Sequence, residues 1–248
     1  MPDAAARIAE NVARVHGRIA AAAVRSGRAA DAVRLVAVTK YVGPAEARSL
    51  IAAGCRDLGE SRPQQLWEKT QALAGLPVCW HMIGHLQRNK VQRTVPLVGM
   101  IHSVDSLRLA AAIDEAARGL SQVPSDETGP VPFKAGVTVP ILLEVNISGE
   151  PAKQGFAGEE IEPLLPQLAG LGGARVCGLM CMAALEGGLD EARRDFAALR
   201  LLRDRLRINC PGGVSLDELS MGMSGDYEAA IEEGATIVRV GSALFEGL

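Results

Sequence analysis

The sequence lacks the features that mark nucleic-acid-binding, membrane-spanning and secreted proteins. It has no lysine-rich run or basic stripe, and its net charge is −3, so nucleic acid is not an expected partner. No apolar run is long enough to cross a bilayer, and residues 1–27 contain no continuous apolar stretch of the kind found in secretory signals. We therefore expect neither a membrane protein nor an exported one.

Disulfide and metal signatures are missing as well. The five cysteines include no CxxC pair, and an odd number scattered through apolar segments is typical of reduced core cysteines in a cytoplasmic protein. His81 and His85 lie four residues apart, but no third ligand accompanies them, so we predict no metal site. Lysine is scarce, so a lysine at a strand end stands out. The lysines are Lys40, Lys69, Lys90, Lys134 and Lys153.

The chain does contain a repeating order of strand and helix. Its 248 residues, 48% of them hydrophobic, suffice for one large core, which predicts a single domain over residues 1–248. Eight β-like runs alternating with helical stretches predict an α/β fold, a TIM-type (β/α)8 barrel of parallel strands. An open doubly wound sheet is less favoured, because Thr39–Pro44 reads TKYVGP rather than GxGxxG. The predicted strands are Arg34–Thr39, Asp57–Glu60, Cys79–Gly84, Met100–Asp105, Val139–Asn146, Arg175–Met182, Glu218–Gly222 and Ile237–Gly241.

An extra helix is predicted before the barrel. Apolar residues from Ile8 to Ile19 recur at helical spacing within Asp3–Arg25. Residues 121–138 are rich in Pro, Gly and Ser and predict an exposed loop before the fifth strand. The remaining predicted helices are Pro44–Ala53, Arg62–Leu73, Ser106–Gly119, Glu159–Ala169, Asp190–Leu206 and Tyr227–Glu233.

Lys40 lies where the first predicted strand ends. Active sites of such barrels form at the carboxyl ends of the strands, and strand alternation places Lys40 on the same face as Val36 and Val38. Schiff-base chemistry needs a neutral amine, which an apolar barrel mouth favours because an ammonium group loses hydration there. The spacing alone favours a surface lysine just past a strand, or one half of a buried ion pair.

The loops after the seventh and eighth strands have the composition of a phosphate site. Barrels often bind phosphate there, near a helix N-terminus. Gly222–Asp226 reads GMSGD and Gly241–Ala243 reads GSA, so glycines allow close approach of the backbone while Ser224 and Ser242 supply hydroxyls. Ordinary helix capping by Ser224 or Asp226 is the alternative interpretation.

Two blocks of the sequence are highly specific. Trp80–Lys90 reads WHMIGHLQRNK, and Leu219–Ser224 reads LSMGMS. With the other blocks, which follow in order from Leu35 to the C-terminus, they resemble the pyridoxal phosphate (PLP) homeostasis proteins, whose signature is WHFIGxLQxNK. The other blocks are Leu35–Lys40 (LVAVTK), Leu58–Ser61 (LGES), Val145–Ser148 (VNIS) with Lys153 and Gly155, Gly178–Met180 (GLM) and Val238–Phe245 (VRVGSALF).

This resemblance implies both a fold and a cofactor site. The barrel would be similar to the N-terminal domain of bacterial alanine racemase, with PLP held on Lys40 as an aldimine. Arg239 would approach the pyridine nitrogen, where a cation disfavours ring protonation and so weakens the ring as an electron sink. No residue is assigned a catalytic role. The expected cofactor-binding residues are Lys40, Asn146, Met223 through its backbone, Ser224, Arg239, Gly241 and Ser242.

A few positions depart from the family's usual residues. Ser61 stands in place of Asn, Pro63 in place of Val, and Tyr41 follows the lysine where a small or basic residue is commoner. The segment 121–138 also looks longer than usual. These departures leave Lys40 and the serine loops in place but put the contacts of the Ser61–Gln65 loop in doubt.

The resemblance implies a non-catalytic protein that buffers or delivers PLP, with apo forms of PLP-dependent enzymes as candidate partners. Related racemases add a second domain and a base on the opposite face of PLP, whereas this chain ends at Leu248 and strand alternation directs Tyr41 away from the site. We therefore expect a monomer without turnover. The alternatives are a PLP-dependent racemase or lyase and a PLP-independent Schiff-base aldolase, and Lys153 is the second candidate for the Schiff base.

Overall fold

Eight parallel strands form a closed barrel in chain order, with β1 bonded to both β2 and β8. The structure is a computed structural model that describes residues 4–120, 138–150, 153–184 and 187–248. The predicted (β/α)8 barrel is thereby confirmed. The strands are β1 (Arg34–Val38), β2 (Asp57–Glu60), β3 (Cys79–Met82), β4 (Met100–Val104), β5 (Val139–Glu144), β6 (Ala174–Met180), β7 (Glu218–Ser220) and β8 (Ile237–Val240).

Helices follow the strands and form the outer layer. The exposed loop predicted over residues 121–138 lies almost entirely outside the described residues, because residues 121–137 are not among them. Within the described ranges, no helix is long and apolar enough to cross a membrane. The helices are α1 (Ala4–Arg25), α2 (Pro44–Ala52), α3 (Pro63–Ala72), α4 (Val91–Thr94), α5 (Leu107–Leu120), α6 (Gly158–Ala169), α7 (Gly188–Arg207) and α8 (Tyr227–Glu232), with short 3-10 helices at Arg88–Lys90, Val95–Leu97 and Ser242–Leu244.

Helix α1 is the predicted extra helix, and it packs against α2 and α8. Its apolar stripe, from Ile8 to Ile19, is buried as the helical spacing indicates. The buried Asn11 side chain donates to the Leu244 and Glu246 carbonyls at 3.2 and 3.0 Å. These bonds fasten the first helix to the segment that follows β8.

Most strands end one or two residues earlier than the sequence predicted. The first strand ends at Val38 rather than Thr39, and the fifth ends at Glu144 rather than Asn146. The next residue in each case, Thr39 or Val145, still donates its N–H to the neighbouring strand before the chain turns, and strand alternation does not extend through those turns. The short α4, flanked by two 3-10 helices, was not predicted because its apolar pattern is too short to show helical periodicity.

The barrel interior holds two kinds of side chain. A buried apolar cluster fills part of it, as in other barrels of this type. Polar side chains from β3, β4, β7 and β8 are buried beside this cluster, namely His81, His102, Ser220 and Arg239. The apolar members are Val36, Met100, Leu142, Cys177, Met180 and Ile237.

Candidate functional site

A cavity of about 640 Å³ opens beyond the carboxyl ends of the strands. Its size is typical of a site for a small molecule or cofactor. Six of the seven residues that the sequence predicted for cofactor binding line it, although they come from three separate parts of the chain. These are Lys40, Met223, Ser224, Arg239, Gly241 and Ser242.

Lys40 forms one wall of this cavity, together with Tyr41. Both residues lie in the turn after β1, and Lys40 Nζ is 5.0 Å from the centre of the Tyr41 ring. The expectation that Tyr41 points away from the site is wrong, since Tyr41 lines the cavity while remaining 87% exposed. The reason is that β1 ends at Val38, so the alternation used for that inference no longer applies.

The residue before Lys40 is held by a buried ion pair. The Thr39 hydroxyl donates to Glu60 Oε1 at 2.7 Å, and Lys69 Nζ donates to the Thr39 carbonyl at 2.7 Å. Lys69 and Glu60 also form a direct hydrogen-bonded pair. Glu60 and Lys69 are both buried, so the turn that carries Lys40 starts from a rigid base. Sequence reasoning missed this pair, because neither residue has a local pattern that points to the other.

The loops after β7 and β8 meet at a single oxygen atom. The N–H groups of Gly241 and Ala243 donate to Ser224 Oγ at 3.1 and 3.5 Å. Gly222 starts the first loop at φ +91°, a conformation that favours glycine. Backbone N–H groups and a hydroxyl that converge on one point, beside the first turn of a 3-10 helix, are the donor set that anions prefer.

The backbone N–H of Met223, which the sequence predicted as a cofactor contact, makes a hydrogen bond within its own loop. The Met223 N–H donates to Asp226 Oδ1 at 2.5 Å. Burial raises the pKa of Asp226, and the Met223 N–H and the charge of Arg239 oppose that rise. Met223 therefore borders the cavity with its half-exposed side chain, while its N–H shapes the loop.

Arg239 forms the floor of the cavity and is only 4% exposed. Its Nη1 donates to the carbonyl and the hydroxyl of Ser220 at 2.8 and 2.6 Å, and its Nη2 donates to the Cys181 carbonyl at 2.9 Å. Burial lowers the pKa of this guanidinium, and nearby Cys181 and Glu144 oppose that effect. The guanidinium is thus a buried cation held in place by uncharged acceptors.

Two titratable side chains that sequence reasoning left without a role also line the cavity. Glu144 is buried at the end of β5, and desolvation followed by the charge of Asp105 raises its pKa. His85 Nδ1 lies 3.1 Å from Asp105 Oδ2. The charged neighbours of Glu144, Asp105 and His85, follow other strands, so no local pattern in the sequence indicates this group.

Asn146 is not among the residues that line the cavity, unlike the other six predicted site residues. Its Nδ2 donates to the Glu150 and Lys153 carbonyls at 2.8 and 3.5 Å. Lys153 itself donates to Ser148 Oγ and the Ala183 carbonyl, both at 3.1 Å. Asn146 and Lys153 thus hold the loop after β5, and of the described residues that line the cavity Lys40 is the one lysine.

At the opposite end of the barrel, Asp57, Cys79 and His81 bring potential metal-ligating atoms within 4.8 Å of one another. His81 Nε2 is paired with Asp57 Oδ1 at 2.8 Å. Burial raises the pKa of the Cys79 thiol to about 11.

Comparisons with known proteins agree with this architecture. A family model described as the alanine racemase N-terminal domain matches residues 6–248. The "pyridoxal phosphate homeostasis protein" of Aquifex aeolicus is 38% identical over 95% of this chain and 96% of its own. Proteins of the same name from Pseudomonas aeruginosa and Escherichia coli K12 are 40% and 34% identical, each over 96% of this chain and 94% and 95% of their own.

Solved structures give the same result. PipY of Synechococcus elongatus, described as having PLP bound, is 34% identical and covers 96% of this chain and 99% of its own, with a TM-score of 0.78. An alanine racemase from Clostridium difficile is 17% identical with a TM-score of 0.65, over 86% of this chain and 52% of its own, and shares the fold alone. Fold, motif blocks and relatives together place this chain in the alanine racemase N-terminal domain family, among the pyridoxal phosphate homeostasis proteins.

Proposed function

We propose that this chain binds PLP in the cavity at the barrel mouth, attached through Lys40, and that it serves PLP homeostasis without turning over an amino acid. The observation that carries the proposal is the combination of groups around one cavity. A lysine amine, a buried arginine and the convergent donors at Ser224 all border it. PipY, a relative that matches nearly the whole chain, has a structure described as PLP-bound.

The residues present fit this cofactor. A phosphate needs N–H and hydroxyl donors with close backbone approach, which Ser224, Gly241 and Ser242 offer. A Cβ on Gly241 would lie 3.3 Å from Val38 Cβ, so a larger residue would crowd this wall. Arg239 faces the cavity from below as a fixed cation, which suits contact with a ring nitrogen that stays unprotonated.

The proposed chemistry follows from these groups. When bound, PLP supplies an aldehyde that condenses with a neutral lysine amine to form a C=N bond and release one water molecule. Lys40 would supply that amine, and it would be released when another amine takes its place in the C=N bond. A reversible tether suits storage and delivery, and the full-length relatives carry the name homeostasis protein.

We further propose that the protein acts as a monomer that passes PLP to apo forms of PLP-dependent enzymes. Arg239 supports the absence of turnover, because a cation at the ring nitrogen leaves PLP a poor electron sink for a carbanion. A PLP-dependent racemase or lyase remains the second candidate. It is favoured by the titratable groups that line the cavity, Tyr41, His85 and Glu144.

The test is to add PLP to the purified protein, record the absorption band, reduce with borohydride and map the modified peptide. We expect the adduct on Lys40, its loss in Lys40→Ala, and its retention in the matched control Lys153→Ala. An adduct on Lys153, or none in the wild type, would overturn the proposed site. Incubation with a panel of L-amino acids in deuterated water then separates the two candidates, since racemisation or Cα–deuterium exchange with turnover would contradict a non-catalytic role.

A further inference from the structure

A chain of hydrogen-bonded side chains crosses the barrel interior, from Arg239 at the cavity floor to Asp57 at the first residue of β2. Arg239 Nη1 donates to Ser220 Oγ at 2.6 Å, and that oxygen lies 2.8 Å from His102 Nδ1. His102 Nε2 lies 2.9 Å from His81 Nδ1, and His81 Nε2 lies 2.8 Å from Asp57 Oδ1. The chain therefore joins β8 and β7 on one side of the barrel to β4, β3 and β2 on the other.

The members of this chain are almost completely shielded from water. Ser220 and His102 are fully buried, and His81 is 1% exposed, whereas the Asp57 side chain is 24% exposed. The two imidazole rings meet edge to face, with centroids 5.1 Å apart and planes at 69°. A buried donor without an acceptor is strongly destabilising, so each hydrogen in this chain needs an acceptor.

That requirement determines where the hydrogens lie. A guanidinium only donates, so Ser220 Oγ accepts from Arg239 and must donate its own hydrogen to His102 Nδ1. Burial, together with the neighbouring His81 and Arg239, lowers the pKa of His102 well below its usual value, so the ring is neutral and carries its hydrogen on Nε2. His81 accepts that hydrogen at Nδ1 and donates from Nε2 to the Asp57 carboxylate.

If the hydrogen bonds ran in the opposite direction, the Ser220 hydroxyl would lack an acceptor for its hydrogen among the described residues. If His102 carried its hydrogen on Nδ1, Ser220 Oγ would accept from both His102 and Arg239. The Ser220 hydroxyl hydrogen would then have no acceptor among the residues that the structure describes. Only the direction from Arg239 to Asp57 satisfies every member of the chain.

We propose that Asp57, His81, His102 and Ser220 are positioning residues that link the carboxylate at one end of the barrel to the Arg239 cation at the other and hold the guanidinium in the cavity floor. Of the five guanidinium N–H groups, described residues engage two on Nη1 and one on Nη2. The Nε–H and one Nη2–H have no hydrogen-bond partner among the described residues, and Arg239 lines the cavity. The effect on bound PLP rests on the proposed function, whereas the hydrogen-bond direction rests on geometry alone.

The first test needs no cofactor. Because the chain has four histidines, ¹⁵N NMR signals of the ring nitrogens can be assigned with His16→Asn and His85→Asn. From the hydrogen-bond geometry we expect hydrogen on Nε2 and a bare Nδ1 in both His81 and His102. A hydrogen on Nδ1 of either ring would overturn the relay.

The second test measures the coupling to the cavity with the variants His102→Leu and Ser220→Ala, and with His16→Asn on the exposed face of α1 as the matched control. We expect about tenfold weaker PLP binding and a shifted absorption band in both variants, with the adduct still on Lys40. Affinity and band equal to wild type would overturn the coupling. If His102→Leu does not fold, the PLP affinity and absorption band of Ser220→Ala test the coupling, because that variant lacks only a single oxygen atom. If wild type binds no PLP, the proposed function fails while the NMR result still decides the relay.

Discussion

Ser224 Oγ lies 3.1 Å from the N–H of Gly241 and accepts its hydrogen bond, which joins the loop after β7 to the loop after β8. The two residues are 17 positions apart in the sequence. A second N–H, that of Ala243, reaches the same oxygen at 3.5 Å. Because one hydroxyl holds both loops, the arrangement of the proposed phosphate donors depends on a single side chain.

Replacing that hydroxyl should weaken cofactor retention. In Ser224→Ala the N–H groups of Gly241 and Ala243 lose their common acceptor, and a phosphate loses a donor. We expect PLP affinity to fall about tenfold or more, since a hydrogen bond to a charged group is worth about 1.5–3 kcal/mol. Equilibrium dialysis with PLP measures this loss. The control is Ser49→Ala on the exposed face of α2, and equal affinities of the two variants would show that the phosphate binds elsewhere.

The turn at Gly222 should tolerate no side chain. Its φ of +91° is unfavourable for other residues, and an added Cβ would lie 2.6 Å from Ala230 Cβ. We expect Gly222→Ala to lower the free energy of unfolding by about 1–3 kcal/mol in urea denaturation. Gly225, in the same loop, has no atom within 4 Å of an added Cβ and is the matched control. Equal losses in Gly222→Ala and Gly225→Ala would contradict the steric argument.

The buried pair beneath Lys40 should matter for stability. Lys69→Met leaves the Glu60 carboxylate buried without its cation, and Glu60 Oε2 already has no hydrogen-bond partner among the described residues. Removing one partner of a buried pair costs about 3–5 kcal/mol, whereas an exposed pair contributes about 0–1 kcal/mol. Chemical denaturation of Lys69→Met should show the larger loss. Arg194→Met, which breaks the surface pair with Glu191, is the control, and similar losses would refute the assignment.

Acid should destabilise the fold through His102. Desolvation lowers its pKa in the folded chain, while the unfolded residue titrates near about 6.5. Below that pH the unfolded chain binds a proton that the folded chain excludes, so stability present above about pH 6.5 is lost as the pH falls towards the depressed value. The loss is about 1.4 kcal/mol per pH unit for one group. Urea unfolding at pH 6.5 and 5.5 should show this extra loss in the wild type relative to His102→Leu, and parallel losses would disprove it.

Part of the site could be predicted because its signals are local. A continuous run of apolar residues marked β1, and the position of Lys40 after that strand followed directly. Glycines and serines in two short loops indicated the donors at Ser224 and Gly241. Each of these features depends on a few consecutive residues, so the sequence contains the whole signal.

Other parts could not be predicted because they depend on where strands end and which strands face each other. Tyr41 lines the cavity because β1 stops at Val38, and Asn146 is engaged by its own loop because β5 stops at Glu144. The inference that Tyr41 points away relied on strand alternation continuing for three residues past Val38. Nothing in the local pattern shows where the ladder ends.

The sequence by itself determined the eight-strand barrel, the extra helix, the strand-end lysine at position 40 and the two serine loops, because periodicity and turn composition are properties of neighbouring residues. Only the tertiary structure decided the partners of Lys69 and the path from Arg239 to Asp57. Ser220 and His102 are 118 residues apart, and they meet because closure of the barrel places β4 and β7 across one interior. Contacts of that kind arise from the curvature of the whole sheet, which no local pattern encodes.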